Sequence, residues 1–184
     1  MNKRRFYFIA AIIILLYLIV ILIGSKQISP LVLLVSLLAT TISVATPLTL
    51  GALSGVFCER AGVVNIGIEG MMLTSAFFGW FGAVFLNTIW SVPPLASLLF
   101  GVLVAILSGG LLGLLHAWLS VSLKVDQVIG GTVINILAIG ITGFLNRQLF
   151  FEKNSIFGGQ IPHAPGVLPR ISIPFLVDIP VVGK

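Results

Sequence analysis

Five long apolar runs follow one another along the chain, and they limit the folds that it can adopt. They cover Phe6 to Ile23, Leu31 to about Phe57, Ile66 to Leu86, Leu95 to Leu119 and Ile129 to Leu145. A helix needs roughly 20 apolar residues to cross a bilayer, and the runs are close to that length or longer. The sequence therefore predicts an all-α, polytopic integral membrane protein with about five transmembrane helices.

The composition agrees with a membrane protein. Of the 184 residues, 58% are hydrophobic and 8% are charged, whereas soluble domains carry about 25% charged residues. The single Cys58 rules out an internal disulfide framework. The net charge of +5 comes from scattered basic residues beside apolar runs, so they are interpreted as topology determinants and no nucleic-acid partner is expected.

The residue types that build enzyme sites are nearly absent. The only histidines, His116 and His163, are far apart in the sequence, and no metal-ligand spacing or nucleophile triad is present. The glycines at 109–113 lack the Lys and Ser/Thr of a phosphate-binding P-loop. Gly109 and Gly113 are four positions apart in the fourth run, a spacing that instead permits a close approach between helices. We expect no catalysis, no metal and no cofactor on this chain.

The first apolar run directly follows Lys3, Arg4 and Arg5. A cleaved signal peptide is the alternative, but its apolar region would be about 7–15 residues and would end at an Ala-x-Ala-like site, which is missing here. An uncleaved first helix is favoured. The basic residues divide evenly between the two sides for five crossings, but the cluster abutting the first helix predicts a cytoplasmic N-terminus.

The second run is unusually polar for a transmembrane segment. Pro47 removes a helical hydrogen bond from the carbonyl of Ser43, and a nearby hydroxyl can satisfy that group. The run is either a kinked helix that packs through small residues or a polar strip that faces a pathway, and both interpretations remain open. Its hydroxyl residues include Ser36, Thr40, Thr41, Ser43, Thr46 and Thr49.

Residues 55–79 place polar groups inside or against this apolar protein. Charged groups are expensive in a bilayer and seldom lie there without a partner or a task. Glycines at positions 55, 62, 67 and 70 accompany them, so we predict a helix broken near residues 58–70. Many transporters build their substrate path from such breaks. The charged and amide residues of this segment are Glu59, Arg60, Asn65 and Glu69.

Candidate path residues are Thr46, Pro47, Asn65, Glu69 and Asn135. Asn65 and Glu69 are four positions apart and would share a face on a continuous helix. They either line the translocation path or order the break, or Glu69 stabilises the start of the third helix as a carboxylate in its first turn. Asn135 on the fifth helix is either a path residue or an interhelical hydrogen-bonding group.

A second group of candidates lies on the predicted cytoplasmic side. Glu59 and Arg60 form an interfacial ion pair or contact a partner, and the loop after the fourth helix is either solvated or part of the same contact. This group comprises Glu59, Arg60, Lys124, Asp126 and Gln127. His116 is interpreted as an interfacial pair with Trp118, with a proton relay as the weaker alternative.

Three segments carry a resemblance to a known family. Gly-Val-Val-Asn-Ile-Gly-Ile-Glu-Gly-Met-Met-Leu at 62–73 resembles the signature of ABC-importer permeases of the branched-chain amino acid, ribose and nucleoside class. Residues 52–60 and 123–135 are similar to its nucleoside and simple-sugar branch, and residues 173–184 resemble the extracytoplasmic segment before a further helix. The chain is shorter than family members, so the resemblance implies an N-terminal fragment, a truncated gene or a split protein.

The resemblance implies a permease domain over residues 1–184, with 146–184 as a Pro-rich extracytoplasmic loop or tail. It implies a second permease subunit, cytoplasmic ATPase subunits that bind ATP and Mg, and an extracytoplasmic substrate-binding lipoprotein as partners in the cytoplasmic membrane. The expected cargo is a nucleoside or simple sugar. Alternatives are a branched-chain amino acid permease, a membrane scaffold without transport activity and an ion-coupled secondary carrier.

Overall fold

The structure is a computed structural model that describes residues 12–17, 19 and 30–169. It contains helices α1 (Pro30–Arg60), α2 (Ile68–Ile89), α3 (Pro94–Val121) and α4 (Gln127–Asn146), and a π-helical turn at Arg147–Phe151 continues α4. Four helices of the described part are long and apolar enough to cross a membrane. The prediction of an all-α, polytopic membrane protein is confirmed.

The first predicted run, Phe6 to Ile23, lies largely outside the described residues, and the part that is described, residues 12–17 and 19, is helical. The other four runs match α1 to α4 within a few residues at each end. Thr49–Arg170 forms one compact unit, and the described residues before Thr49 belong to another. The last turns of α1 therefore belong with α2, α3 and α4.

Local sequence explains where the helices begin and end. Pro30 and Pro94 are the first residues of α1 and α3, where a missing N–H costs nothing. α1 ends in a Schellman motif, because the N–H of Gly62 donates to the carbonyl of Glu59 and the N–H of Val63 to that of Cys58, both at 3.0 Å. Gly62 has a φ of +80° there, which glycine adopts without strain.

Helices α2 and α3 touch backbone to backbone. A Cβ on Gly101 would lie 2.6 Å from the carbonyl oxygen of Gly79, and one on Gly79 would lie 2.8 Å from the Cβ of Ala105. Of the two α3 glycines that the sequence singled out for close approach, Gly109 contacts Ser75, but Gly113 has no neighbour within 4 Å of a Cβ. The expectation of a close approach therefore holds for Gly109 and not for Gly113 within the described residues, although the two lie one turn apart on the same face of α3.

An aromatic cluster joins the far half of α2 to the chain after α4. Trp80 lies 4.9 Å from the buried Phe150, and Phe150 stacks on Phe157 at 5.1 Å between ring centroids. Phe81 contacts both phenylalanines edge-on at 6.3 and 6.5 Å. Apolar ring contacts of this kind hold the irregular segment after Phe151 against the helices.

Helix α1 continues through Pro47. The hydroxyl of Thr46 donates to the carbonyl oxygen of Ile42 at 3.0 Å, and those of Thr40 and Thr41 donate to Ser36 and Leu37, each at 2.8 Å. These bonds satisfy hydroxyls within their own helix, as side chains must in an apolar medium.

Candidate functional site

The predicted break lies between α1 and α2, at residues 61–67. Asn65 sits within it, and its Oδ1 accepts a hydrogen bond from the N–H of Gly67 at 3.0 Å. The Nδ2 of Asn65 lies 3.8 Å from the Sγ of Cys58 and 3.6 Å from the Sδ of Met71. The oxygen of this amide therefore bonds within the break, and its nitrogen contacts one residue on each of the two neighbouring helices.

Helix α4 contacts the break through Asn135. The Nδ2 of Asn135 donates to the carbonyl oxygen of Ile66 at 3.0 Å, and its Oδ1 accepts from the N–H of Gly70 at 2.7 Å. One turn earlier, a Cβ on Gly131 would lie 2.8 Å from the nitrogen of Gly67. Two successive turns of α4 thus rest directly on the break.

Gln127 joins the break to the loop before α4. Its Oε1 accepts a hydrogen bond from the N–H of Val64 at 2.6 Å. Its neighbour Asp126 is the N-cap of α4, and its Oδ1 accepts from the N–H groups of Val128 and Ile129 at 2.9 and 3.0 Å. Two members of the predicted cytoplasmic contact therefore have bonding partners within this chain.

The other three members of that group are exposed beside the same two loops. Glu59 and Arg60 end α1, and no contact within the described residues pairs them, because adjacent helical residues do not face each other. Lys124 has a φ of +56°, an uncommon value for a residue with a side chain. These side chains remain available to a partner.

Glu69 stands in the first turn of α2, as expected for a carboxylate near the positive end of a helix. It is exposed, and its side chain has no partner among the described residues. Asn65 precedes the helix, so the two residues do not share a helical face. Thr46 and Pro47, the remaining path candidates, belong to the other compact unit.

His116 differs from its expected place. It is 2% exposed while Trp118 is 52% exposed, so the interfacial pair is wrong, since residues two apart on a helix point in different directions. A Cβ on Gly130 would lie 3.9 Å from the Nδ1 of His116, so α3 and α4 approach each other here. Neither ring nitrogen has a hydrogen-bond partner.

A groove of about 470 Å³ runs between α2, α3 and α4. Its polar lining residues are Thr74 and Ser108, and their hydroxyls donate to carbonyl oxygens of their own helices, those of Gly70 and Ala105. The remaining lining is apolar and matches a hydrocarbon surface better than a solute rich in hydroxyl groups. Within the described residues no group of three side chains could hold a metal ion.

Sequence reasoning missed the role of Gly131. The Gly130-Gly131 pair in the first turn of a predicted helix is a usable signal, because glycine weakens a helix unless packing requires it. The sequence also named Gln127 without its partner, since Val64 is 63 positions away.

Comparison with known proteins identifies the family. Residues 37–174 match the family described as branched-chain amino acid transport system, permease component. The chain is 39% identical over 145 residues to the guanosine ABC transporter permease protein NupQ of Bacillus subtilis, covering 78% of this chain and 42% of that protein. It is 35% identical over 150 residues to the nucleoside ABC transporter permease protein NupC of Lactococcus lactis subsp. cremoris, covering 80% and 44%.

A more distant relative is the glucose ABC transporter permease protein TsgB13 of Haloferax volcanii, 29% identical over 144 residues, with 73% of this chain and 37% of that protein covered. No solved structure matches the chain. The matched part corresponds to less than half the length of these relatives. With a family match over most of its length, and with the apolar helices and the ordered break described above, this chain belongs to the permease components of the branched-chain amino acid transport system family.

Proposed function

We propose that the protein is a permease subunit, or part of one, of an ATP-driven importer that moves a nucleoside or a simple sugar. The observation that carries the proposal is the family match together with relatives named as guanosine and nucleoside permeases. Such cargo is neutral and rich in hydroxyl groups, which suits a path of hydroxyl and amide side chains better than one of fixed charges.

The proposed assembly contains a second permease subunit, two cytoplasmic ATPase subunits and an extracytoplasmic substrate-binding lipoprotein. The loaded lipoprotein docks outside, ATP binding closes the ATPases, and the helices tilt to open the path inward. ATP and Mg belong to the ATPases, so this chain needs no cofactor of its own. The proposed location is the cytoplasmic membrane, with the N-terminus inside.

The exposed residues Glu59, Arg60 and Lys124 are proposed to form a cytoplasmic contact, together with the loop that Asp126 and Gln127 hold in place. The bond between Gln127 and Val64 keeps the two loops together. An ATPase surface of mixed charge could recognise such a patch at close range, because exposed charges act over only about 8–10 Å at physiological salt.

The proposed substrate path comprises Thr46, Pro47, Asn65, Glu69 and Asn135. Glu69 is the member of this set whose carboxylate has no bonding partner among the described residues. The amides of Asn65 and Asn135 are engaged with backbone groups of the break. They would therefore shape the path beside the break, while Glu69 could accept hydrogen bonds from a sugar or ribose hydroxyl.

Copurification tests the assembly. The tagged chain is extracted from its native membranes in mild detergent, and the retained proteins are identified. A stoichiometric ATPase with P-loops supports the importer. Loss of the ATPase in a Lys124→Glu variant, with the ATPase retained in a Lys153→Glu control, would assign the contact to the patch around Lys124. If no ATPase copurifies with this chain or with a full-length relative used as bait, the importer assignment is contradicted and a scaffold or a secondary carrier is favoured.

Uptake assays separate the cargo classes. Cells that express the complete transporter take up labelled guanosine, glucose or leucine, with energy supplied as ATP or as an ion gradient. We expect guanosine or glucose to be transported at the expense of ATP. Leucine uptake would instead support a branched-chain amino acid permease, which the family description names. Uptake driven by an ion gradient and abolished by Glu69→Gln would identify a secondary carrier.

A further inference from the structure

The side chain of Asn135 occupies the place of one backbone hydrogen bond of α2. In a continuous helix the N–H of each residue donates to the carbonyl oxygen four positions earlier, which would pair Gly70 with Ile66. Instead, both groups bond to Asn135, at 2.7 and 3.0 Å. The next bond of the ladder, from the N–H of Met71 to the carbonyl oxygen of Gly67, is intact at 3.0 Å.

A carboxamide is well suited to this position. It carries a donor and an acceptor, as a peptide group does. Both backbone groups of the interrupted bond are therefore satisfied within the protein. An apolar side chain at position 135 could bond to neither group. The N–H of Gly70 and the carbonyl oxygen of Ile66 would then have only each other as hydrogen-bond partners.

The backbones of α2 and α4 are in direct contact at this point. A Cβ on Gly70 would lie 2.8 Å from the Cα of Asn135 and 3.0 Å from the carbonyl oxygen of Ile134. The approach leaves no room for a side chain, so the amide of Asn135 reaches the ladder of α2 directly. α4 and the break are thereby tied together.

We propose that Asn135 is a positioning residue that keeps α2 short by inserting its amide between Gly70 and Ile66. When the amide is withdrawn, the N–H of Gly70 donates to the carbonyl oxygen of Ile66, so Gly67 joins α2 and Ile66 becomes its N-cap. A displacement of α4 along α2 then changes the length of the break. This inference rests on the hydrogen bonds of Asn135 and on the backbone contact between α2 and α4, and it does not depend on which solute is transported.

The chain contains its own reporter for this change. Cys58 is the single cysteine of the sequence, and the amide nitrogen of Asn65 lies 3.8 Å from its Sγ. Winding Gly67 into α2 alters the turn in which the N–H of Gly67 donates to the Oδ1 of Asn65, and so moves Asn65 away from the thiol. The rate at which a maleimide labels Cys58 therefore measures the state of the break.

The test compares labelling rates of Cys58 in membranes that carry the whole chain. Asn135→Ala should raise the rate about fivefold, since two interhelical hydrogen bonds are lost. Asn87→Ala is the matched control, because the Nδ2 of Asn87 also donates to a backbone carbonyl, that of Val92 at 2.9 Å, at the other end of α2. The control should label at the wild-type rate, and an unchanged or slower rate in Asn135→Ala overturns the proposal.

Hydrogen exchange distinguishes a closed ladder from simple loosening. In Asn135→Ala the amide of Gly70 should remain protected, because Ile66 replaces the lost acceptor. Rapid exchange of the Gly70 amide beside faster labelling of Cys58 would show that Asn135 only holds the structure together, and would also overturn the proposal. If Asn135→Ala does not accumulate, Asn135→Ser gives the same comparison, since its side chain is too short to bridge both groups.

Discussion

Asp126 shows how a charged residue in a loop acquires a local structural role. From the sequence it was a candidate for contact with a partner, or an ordinary solvated residue. In the structure its carboxylate accepts two backbone hydrogen bonds at the start of α4. An acidic residue directly before a predicted helix is a recognisable N-cap signal, so this role could have been predicted from sequence alone.

Replacing Asp126 with alanine should weaken the protein through α4. Loss of an N-cap costs about 1 kcal/mol, which corresponds to a fall of about 2–4 °C in the unfolding midpoint of a protein of this size. Asp126→Asn keeps an accepting oxygen and should unfold close to the wild-type midpoint. Thermal unfolding of the purified protein in detergent measures both variants. Equal losses in the two would show that the charge, and not the cap, matters.

Asn135 marks the limit of prediction at this scale. Its polarity in an apolar run drew attention to it, but its partners Ile66 and Gly70 are 69 and 65 positions away. No local pattern encodes a contact at that separation, because it depends on how α4 docks against the break. The residue was predictable, while its hydrogen bonds required the structure.

At the scale of elements, hydropathy located the helices and glycine spacing did not identify their contacts. The apolar runs gave α1 to α4 within a few residues, because a bilayer demands apolar segments of fixed length. Gly79 and Gly101, where α2 and α3 touch, were not singled out. Gly113 was singled out, although it faces open space. Small residues permit close approach wherever they occur, and only packing selects the positions that are used.

Two glycines of α3 provide a matched test of this contact. Gly101→Ala places a Cβ 2.6 Å from the carbonyl oxygen of Gly79, and overpacking of this kind costs about 1–3 kcal/mol. Gly110→Ala meets nothing within 4 Å and should stabilise α3 by up to about 1 kcal/mol through helix propensity.

Thermal unfolding in the same detergent compares these two variants with the wild type. The midpoint should fall for Gly101→Ala and stay level or rise for Gly110→Ala. A fall of similar size in both would indicate that α3 is sensitive to any added methyl group, and that the contact with α2 is not the cause.

At the scale of the whole molecule, composition and the alternation of apolar runs and loops predicted the class of protein correctly. The family followed from the short segment at 62–73, which lies at the break and the start of α2. Neither the apolar runs nor the segment at 62–73 predicts the orientation in the membrane, and the basic residues divide evenly between the two sides. It rests on the position of Lys3, Arg4 and Arg5 beside the first run.

Cysteine labelling tests the orientation. In a Cys58→Ala background, a cysteine replaces Ser91 in the loop before α3 or Lys124 in the loop after it. With the N-terminus inside, a membrane-impermeant maleimide should label Ser91→Cys in intact cells and Lys124→Cys only after permeabilisation. α3 separates the two loops by 28 residues, about 42 Å of helix. The reverse pattern would place the N-terminus outside.

The aromatic cluster also gives the protein a natural optical signal. Trp90 and Trp118 are 67% and 52% exposed, where lipid-soluble quenchers can reach them. Trp80 is half-buried, with its ring 4.9 Å from Phe150, inside the contact that holds the segment after α4. Once the two exposed indoles are quenched, the remaining emission comes from Trp80, so its wavelength and intensity report on the contact between that segment and α2.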